Sequence, residues 1–305
     1  MNWVCPLCST SNDASWELCI VCDTPKPAEP EKRPDAAADD YTPPMYLDAM
    51  DALNRGAFGV AAQKFMLTAE MLDHAPSQNE YGNCLFQGKG VPKDLAEAVK
   101  WYEKAANQGY APAQYNLGCC NFSGLGVPKD ESAAFYWVKL SYENGNVKAA
   151  YMLATFYYYG HGTEKNSAHA LELFKVAADN NDQKAAYMAG CCYEKGWGTP
   201  RDFNLALEYY TKAADLGYAP ALNAVGTCYF LGTGTEKNVY KASSYFKRSA
   251  DFGSANGMYN YGFCLERGLG AAKDVEQAIF WYRQAAAKGH EKALTSLERL
   301  KEYRS

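Results

Sequence analysis

Cys5, Cys8, Cys19 and Cys22 stand in the pattern C-x2-C-x10-C-x2-C, inside WVCPLCSTSNDASWELCIVC at residues 3–22. Two tight turns, each offering two thiolates, make a closed tetrahedral donor set, and Zn²⁺ in a structural site is the ion that suits it. A segment this short buries too little to fold alone, so metal binding would supply its folding energy. The four thiolates are the expected ligands of one structural zinc ion.

The remaining chemistry-bearing residues fall into a different pattern. Cys84, Cys120, Cys192, Cys228 and Cys264 stand one or two repeat periods apart, in one column of a repeat. Packed helices lie roughly 8–10 Å apart, whereas a disulfide needs Cα atoms within about 7 Å, so these cysteines cannot bridge along a stack of units. They read as small buried thiols. The adjacent pairs Cys119–Cys120 and Cys191–Cys192 are the one place where a second metal site can be imagined. His74, His161, His169 and His290 share no spacing with acids or serines, and no nucleophile–base constellation or metalloprotease motif is present. The chain reads as non-enzymatic.

The bulk properties narrow the partners. Residues 1–44 hold three basic and eight acidic side chains, which is the whole of the net charge of −5, and 27 bases balance 27 acids beyond them. No basic field exists to attract nucleic acid or an anionic membrane. The amino terminus has no basic start followed by an apolar run, and no apolar stretch reaches the length of about 18 residues that a membrane helix needs. A reducing, cytoplasmic location is expected, with the cysteines as ligands and free thiols. DTPKPAEPEKRPDAAADDYTPP, at 23–44, has six prolines and almost nothing to bury. It reads as a disordered or extended linker between a module at 1–24 and a domain at 45–305.

That domain repeats itself. GKGVPKD at 88–94 returns as GLGVPKD, GHGTEKN, GWGTPRD, GTGTEKN and GLGAAKD, always 36 residues on. A fixed period of this length predicts stacked supersecondary units. Asp94, Asp130, Asn166, Asp202, Asn238 and Asp274 are good helix N-caps. Four residues later comes an unbroken column of Ala98, Ala134, Ala170, Ala206, Ala242 and Ala278. Three further on stand Trp101, Trp137, Leu173, Tyr209, Tyr245 and Trp281, expected on the same buried face. A preceding helix carries a small residue for close approach at Gly82, Gly118, Ala154, Gly190, Gly226 and Gly262. Each unit is thus helix A, a glycine turn and helix B. An irregular pair is expected at 45–72, six units at 74–290 and a capping helix at 291–303. The GxG turns follow a helix, lack the full phosphate-loop pattern and occur six times, so one glycine ends helix A and the other shapes the turn.

APAQYNLGCCNFSGLGVPKDESAAFYW, at 111–137, resembles the Sel1-like repeat of the tetratricopeptide superfamily, and every unit from 74 to 290 follows that pattern. The resemblance implies an all-α, right-handed α-solenoid that serves as a protein-binding scaffold. Some secreted relatives carry a second cysteine on helix B to close each unit, and this chain has none there. The resemblance also implies that helix A lines a concave groove. The positions it places there are Tyr115, Tyr151, Tyr187 and Tyr259, with Asn223 the exception, and a second column of Phe86, Phe122, Tyr158 and Phe230. Aromatic side chains give large contact area at modest entropic cost, so an extended peptide or a helix is the expected ligand. Hydrolase activity has been credited to some repeat proteins of this class and stands as a remote alternative that these residues do not support.

Trp3, two before Cys5, and Asn12, four after Cys8, complete W-x-C-x2-C-x3-N-x6-C-x2-C, which resembles the RanBP-type zinc finger along its whole length. In that family the RNA readers place an aromatic directly after the asparagine and follow it with two arginines. This chain has Asp13 and then Ser15 and Trp16, and no basic residue in 1–24. Phosphate contact dominates nucleic-acid affinity, so RNA is disfavoured. The ubiquitin binders carry Thr-Phe after the second cysteine and an apolar residue before the fourth. Here Ser9-Thr10 stands at the first position and Val21 at the second, which keeps a ubiquitin-like ligand as an alternative without its usual aromatic anchor. Trp16, Ile20 and Val21 are the candidate apolar contact surface of the finger.

Overall fold

The computed structural model describes residues 42–302 together with 3–4 and 11–12. The chain divides into two units, Met1–Pro44 and Met45–Ser305. In the first, β1 (Trp3–Val4) and β2 (Ser11–Asn12) pair antiparallel, with Trp3 opposite Asn12 and Val4 opposite Ser11.

The second unit is helical. α1 (Pro44–Asn54) and α2 (Phe58–Met71) come first, joined through Gly56 in the left-handed region. The A helices of the six hairpins are α3 (Ala75–Gln87), α5 (Ala111–Ser123), α7 (Ala149–Tyr159), α9 (Gln183–Lys195), α11 (Ala219–Leu231) and α13 (Ala255–Arg267). Their B helices are α4 (Leu95–Asn107), α6 (Glu131–Glu143), α8 (Ser167–Asp179), α10 (Phe203–Asp215), α12 (Val239–Asp251) and α14 (Val275–Ala287). α15 (Glu291–Glu302) follows, and successive helices pack into a repeat solenoid.

Local chemistry explains the punctuation. The side chains of Asp94, Asp130, Asn166, Asp202, Asn238 and Asp274 each accept a backbone N–H two or three residues on, satisfying donors that an α-helix start leaves free. The first glycine of every GxG closes helix A with φ between 68 and 80°. The second glycine does more than turn the chain. A Cβ at Gly126 would lie 2.2 Å from the Leu95 carbonyl oxygen, and one at Gly234 2.1 Å from that of Phe203. Leu95 and Phe203 are the first residues of the preceding B helices, so this glycine is where one unit is pressed against the last.

Within a hairpin, the small residue on helix A meets a large one on helix B. A Cβ at Gly118 would stand 2.5 Å from Val138 Cγ2, and one at Gly190 2.5 Å from Tyr210 Cδ1. The alanine column at 98, 134, 170, 206, 242 and 278 is buried throughout. Of the large residues expected beside it, Trp101 and Leu173 are buried, whereas Trp137, Tyr209, Tyr245 and Trp281 are only half-buried. The centre of each hairpin is instead the next residue along: Tyr102, Val138, Phe174, Tyr210, Phe246 and Tyr282, all at 4% exposure or less. At 3.6 residues per turn, a step of four overshoots a full turn by about 40°, while a step of three falls about 60° short. The later column therefore sits closer to the alanine stripe.

Candidate functional site: the A-helix groove

Each central B-helix side chain rises beneath helix A between two of its residues. One stands nine positions before the GxG, the other two before it. The first column holds Tyr115, Tyr151, Tyr187 and Tyr259; the second holds Phe86, Phe122, Tyr158 and Phe230. All eight are half-buried. Ring centroids lie 6.0 Å apart for Tyr151 and Phe174, 5.4 Å for Tyr187 and Tyr210, and 5.6 Å for Tyr259 and Tyr282. In the second column Tyr158 rests against Phe174, and Phe230 against Phe246, each at 6.4 Å. These aromatics use part of their surface for packing and present the rest, on a backing that holds the rings in place.

The structure brings two of the predicted groove residues, Phe230 and Tyr259, into one depression. Tyr259 and the unpredicted Asn260 line two adjoining cavities, of about 470 and 250 Å³, between α11, α13 and the start of α15. The larger takes in Asn223, Asn256 and His290; the smaller takes in Thr227, Phe230 and Phe263. Asn260 Nδ2 donates to Asn223 Oδ1 at 2.8 Å across neighbouring A helices, as Asn116 Nδ2 does to Asn79 Oδ1 at 2.9 Å. His290 stacks on Tyr259 with centroids 4.6 Å apart, and burial holds its ring below the ordinary histidine pKa. Flat rings beside amide side chains can grip peptide groups and apolar side chains together. Phe86, Tyr115, Phe122, Tyr151, Tyr158 and Tyr187 stand on the other A helices, spread along the stack.

Two members of the second column escaped the sequence reading because they are acidic. Glu266 is buried; it accepts from Tyr282 Oη at 2.9 Å, and its two carboxylate oxygens accept from Arg299 Nη2 at 2.8 and 2.7 Å. Glu194 accepts from Tyr210 Oη at 2.5 Å and from Lys195 Nζ at 2.8 Å. Burial raises the Glu194 carboxyl, but those two hydrogen bonds and the Lys195 and Arg201 charges outweigh it and hold the group below its usual value. The legible signal was a carboxylate replacing an aromatic in two of the three units whose helix-B centre is tyrosine; in the third, Tyr102 donates to Asn83 and the column keeps Phe86.

The other candidate groups carry structural roles. Burial pushes the thiols of Cys84, Cys120, Cys228 and Cys264 up to about 11, and that of Cys192 to about 12, which leaves them protonated and unreactive at neutral pH. The adjacent cysteine pairs do not assemble a second metal site. Cys119 Sγ lies 3.6 Å from Met152 Sδ, Cys191 Sγ lies 3.5 Å from Tyr210 Oη, and among the described residues no three His, Cys, Asp or Glu side chains converge to hold an ion. His74 Nδ1 approaches Ser77 Oγ at 2.8 Å, yet that hydroxyl is fully buried and the histidine also caps α3. His161 pairs with Glu131 at 3.0 Å, and His169 meets the edge of Tyr157.

Of the finger residues, Trp3 and Asn12 oppose each other in the short ladder. Cys5, Cys8, Cys19, Cys22, Trp16, Ile20 and Val21 lie outside the described residues, as does the stretch read as linker up to residue 41.

The Sel1 repeat model matches the chain six times in succession, at 75–110, 111–146, 147–182, 183–218, 219–254 and 255–290. The chain belongs to the Sel1 repeat family. Among solved structures, it is similar to c5321, a protective antigen of uropathogenic Escherichia coli with an SLR fold. That match has 28% identity and a TM-score of 0.77, covering 83% of this chain and 56% of that one. The Sel1 repeat chain therefore spans little more than half of that relative. It is also similar to a Sel1 repeat protein from Oxalobacter formigenes, with 29% identity and a TM-score of 0.72, covering 80% of this chain and 97% of that one. A comparison with curated proteins returns no match. Sel1 repeat proteins are typically protein-interaction scaffolds. Among the described residues no helix is long and apolar enough to cross a membrane.

Proposed function

We propose that this Sel1 repeat chain is a non-enzymatic cytoplasmic adaptor that holds a protein partner in its concave A-helix groove and makes a second protein contact through an amino-terminal RanBP-type zinc finger. The observation that carries the groove reading is the pair of adjoining cavities around Tyr259, floored by aromatics and edged by asparagine amides. An extended peptide or a helix fits such a surface. For the finger, the donor set of Cys5, Cys8, Cys19 and Cys22 suits a single zinc ion, and the pairing of Trp3 with Asn12 is consistent with a small module in that segment. Two weak contacts on one chain gain through effective concentration.

The test is affinity capture followed by mass spectrometry with three forms of the full chain: unaltered, Phe230→Ala/Tyr259→Ala, and Cys5→Ser/Cys8→Ser. The groove reading expects the first double substitution to lose the main partner. The second is expected to lower the yield of the same partner. Equal recovery by the unaltered and groove-substituted forms would defeat the groove; equal recovery by the unaltered and cysteine-substituted forms would defeat the second contact.

A further inference from the structure

The repeat register lets one unit serve as a template for another. Residues 33 apart meet across neighbouring A-type helices: Phe230 faces Phe263 at 6.4 Å, and Glu266 holds Arg299. Glu194 stands one column member before Phe230, and its register partner is Thr227. That threonine is too short to reach as an arginine does, and its hydroxyl is engaged with the Asn223 carbonyl at 2.9 Å. The environments beneath are alike, since Tyr210 and Tyr282 donate to Glu194 and Glu266 in the same way. The environments above differ. The Glu266 side chain is 7% exposed under its guanidinium, whereas that of Glu194 is 36% exposed. The cation bonded to Glu194 is its chain neighbour Lys195, itself 51% exposed, with the Arg201 charge acting from further off; a solvated pair of that kind is held weakly. Aromatic members of the same column, Tyr158 and Phe230, stand one unit before and one unit after, and Trp197 lies against Tyr158 at 5.4 Å.

We propose that Glu194 is a cation-recognising position of the groove, taking an arginine side chain of the bound protein in the seat that Arg299 fills on Glu266. The inference rests on the groove reading above and adds the chemistry of its ligand. A guanidinium can donate to both oxygens of the carboxylate, lie against the flanking rings and displace Lys195 into water. The fold already contains the complex in miniature, with the arginine supplied by α15 instead of by a partner. It follows that the partner segment carries a basic residue flanked by apolar ones.

Panning of phage-displayed random twelve-residue peptides on the full chain tests this, using four forms: unaltered, Glu194→Gln, Thr227→Arg and Phe230→Ala/Tyr259→Ala. The unaltered chain is expected to enrich peptides sharing an arginine or lysine at one position. Glu194→Gln keeps an acceptor for Tyr210 and should weaken the selected peptides roughly tenfold, the difference between a charged and a neutral hydrogen-bond acceptor. Thr227→Arg should fill the seat from within, abolish the basic preference and raise the melting temperature. A consensus without a basic position, or one that binds Glu194→Gln unchanged, overturns the subsite while leaving the groove intact. If no peptide is enriched, or enrichment survives Phe230→Ala/Tyr259→Ala, the groove fails and the subsite falls with it. Circular dichroism of each variant confirms that the comparison is between folded proteins.

Discussion

Arg299 reaches back from α15 to Glu266 on α13, and one of its terminal nitrogens donates to both carboxylate oxygens, at 2.8 and 2.7 Å. With Arg267 Nε at 3.5 Å beside it and Tyr282 Oη donating from beneath at 2.9 Å, the carboxylate of a buried glutamate meets two cations and a neutral hydrogen-bond donor. Removing one partner of such a pair is costlier than removing both, because the survivor stays buried with its charge exposed to a poor environment. Arg299→Ala should therefore destabilise the domain by about 1–3 kcal/mol, the lower end reflecting the partial exposure of Arg299. Glu266→Gln combined with Arg299→Ala should recover part of the loss. Thermal unfolding followed by circular dichroism reads both, and equal melting of the single variant and the unaltered chain would show that the pair adds nothing.

The two glycine classes separate in the same assay. Gly234 has φ of +71° and a Cβ there would sit 2.1 Å from the Phe203 carbonyl oxygen, backbone that cannot step aside. Gly109 has φ of +86° and open space around the missing Cβ. Gly109→Ala should cost about 1 kcal/mol, the strain of an alanine in the left-handed region. Gly234→Ala should cost several times as much, because the two neighbouring units must also separate. Similar losses at the two positions would mean that the GxG contact does not hold units together.

The caps, the alanine stripe and the small helix-A residue were legible because each is written six times, whereas each aromatic column is filled in only four units. What the sequence conceals are relationships that a period cannot express. Nothing local says that the second glycine of each turn is pressed on the start of the preceding B helix, since a turn signal describes its own backbone and not its neighbour. Trp101 and Tyr102 are both large, so choosing between adjacent columns needed the angular step of the helix, which brings the later residue nearer the alanine stripe. Glu194 and Glu266 interrupt the second aromatic column, and only the structure shows why: each accepts from a tyrosine beneath it, and Glu266 also holds Arg299. Asn181 takes φ of +63° where five other units use glycine, a role asparagine can fill. For the finger, the case for zinc is the donor spacing together with Trp3 and Asn12, which pair in the short ladder.

Alkaline pH should unfold the solenoid. Burial raises five thiols to about 11 or 12, and Tyr110 and Tyr115 to about 12, whereas in the unfolded chain thiols titrate near 8.5–9 and tyrosines near 10. Below about pH 8.5 both states hold these protons and stability is flat. Between about pH 9 and 11 the unfolded chain loses them first, so stability falls as pH rises, by up to about 1.4 kcal/mol per unit for each group. Urea midpoints at pH 7.5 and 10 should differ accordingly. Cys192→Ala should shrink that difference by one group's share; a pH-independent midpoint would contradict the buried-thiol column.

Zinc is the last expectation with a direct measurement. If Cys5, Cys8, Cys19 and Cys22 bind as a closed tetrathiolate set, the purified full chain should carry one zinc per molecule by plasma mass spectrometry. Cys5→Ser/Cys8→Ser leaves two thiolates, too few for a closed site, and should lose the metal. The helical domain is a separate unit with its own core, and its seven cysteines are buried or half-buried singly rather than gathered around an ion. Its melting transition should therefore be unchanged by the double substitution or by a strong chelator. Retention of zinc after the substitution would move the metal elsewhere in the chain. A solenoid that melts earlier without it would mean that the finger and the repeats are one thermodynamic unit.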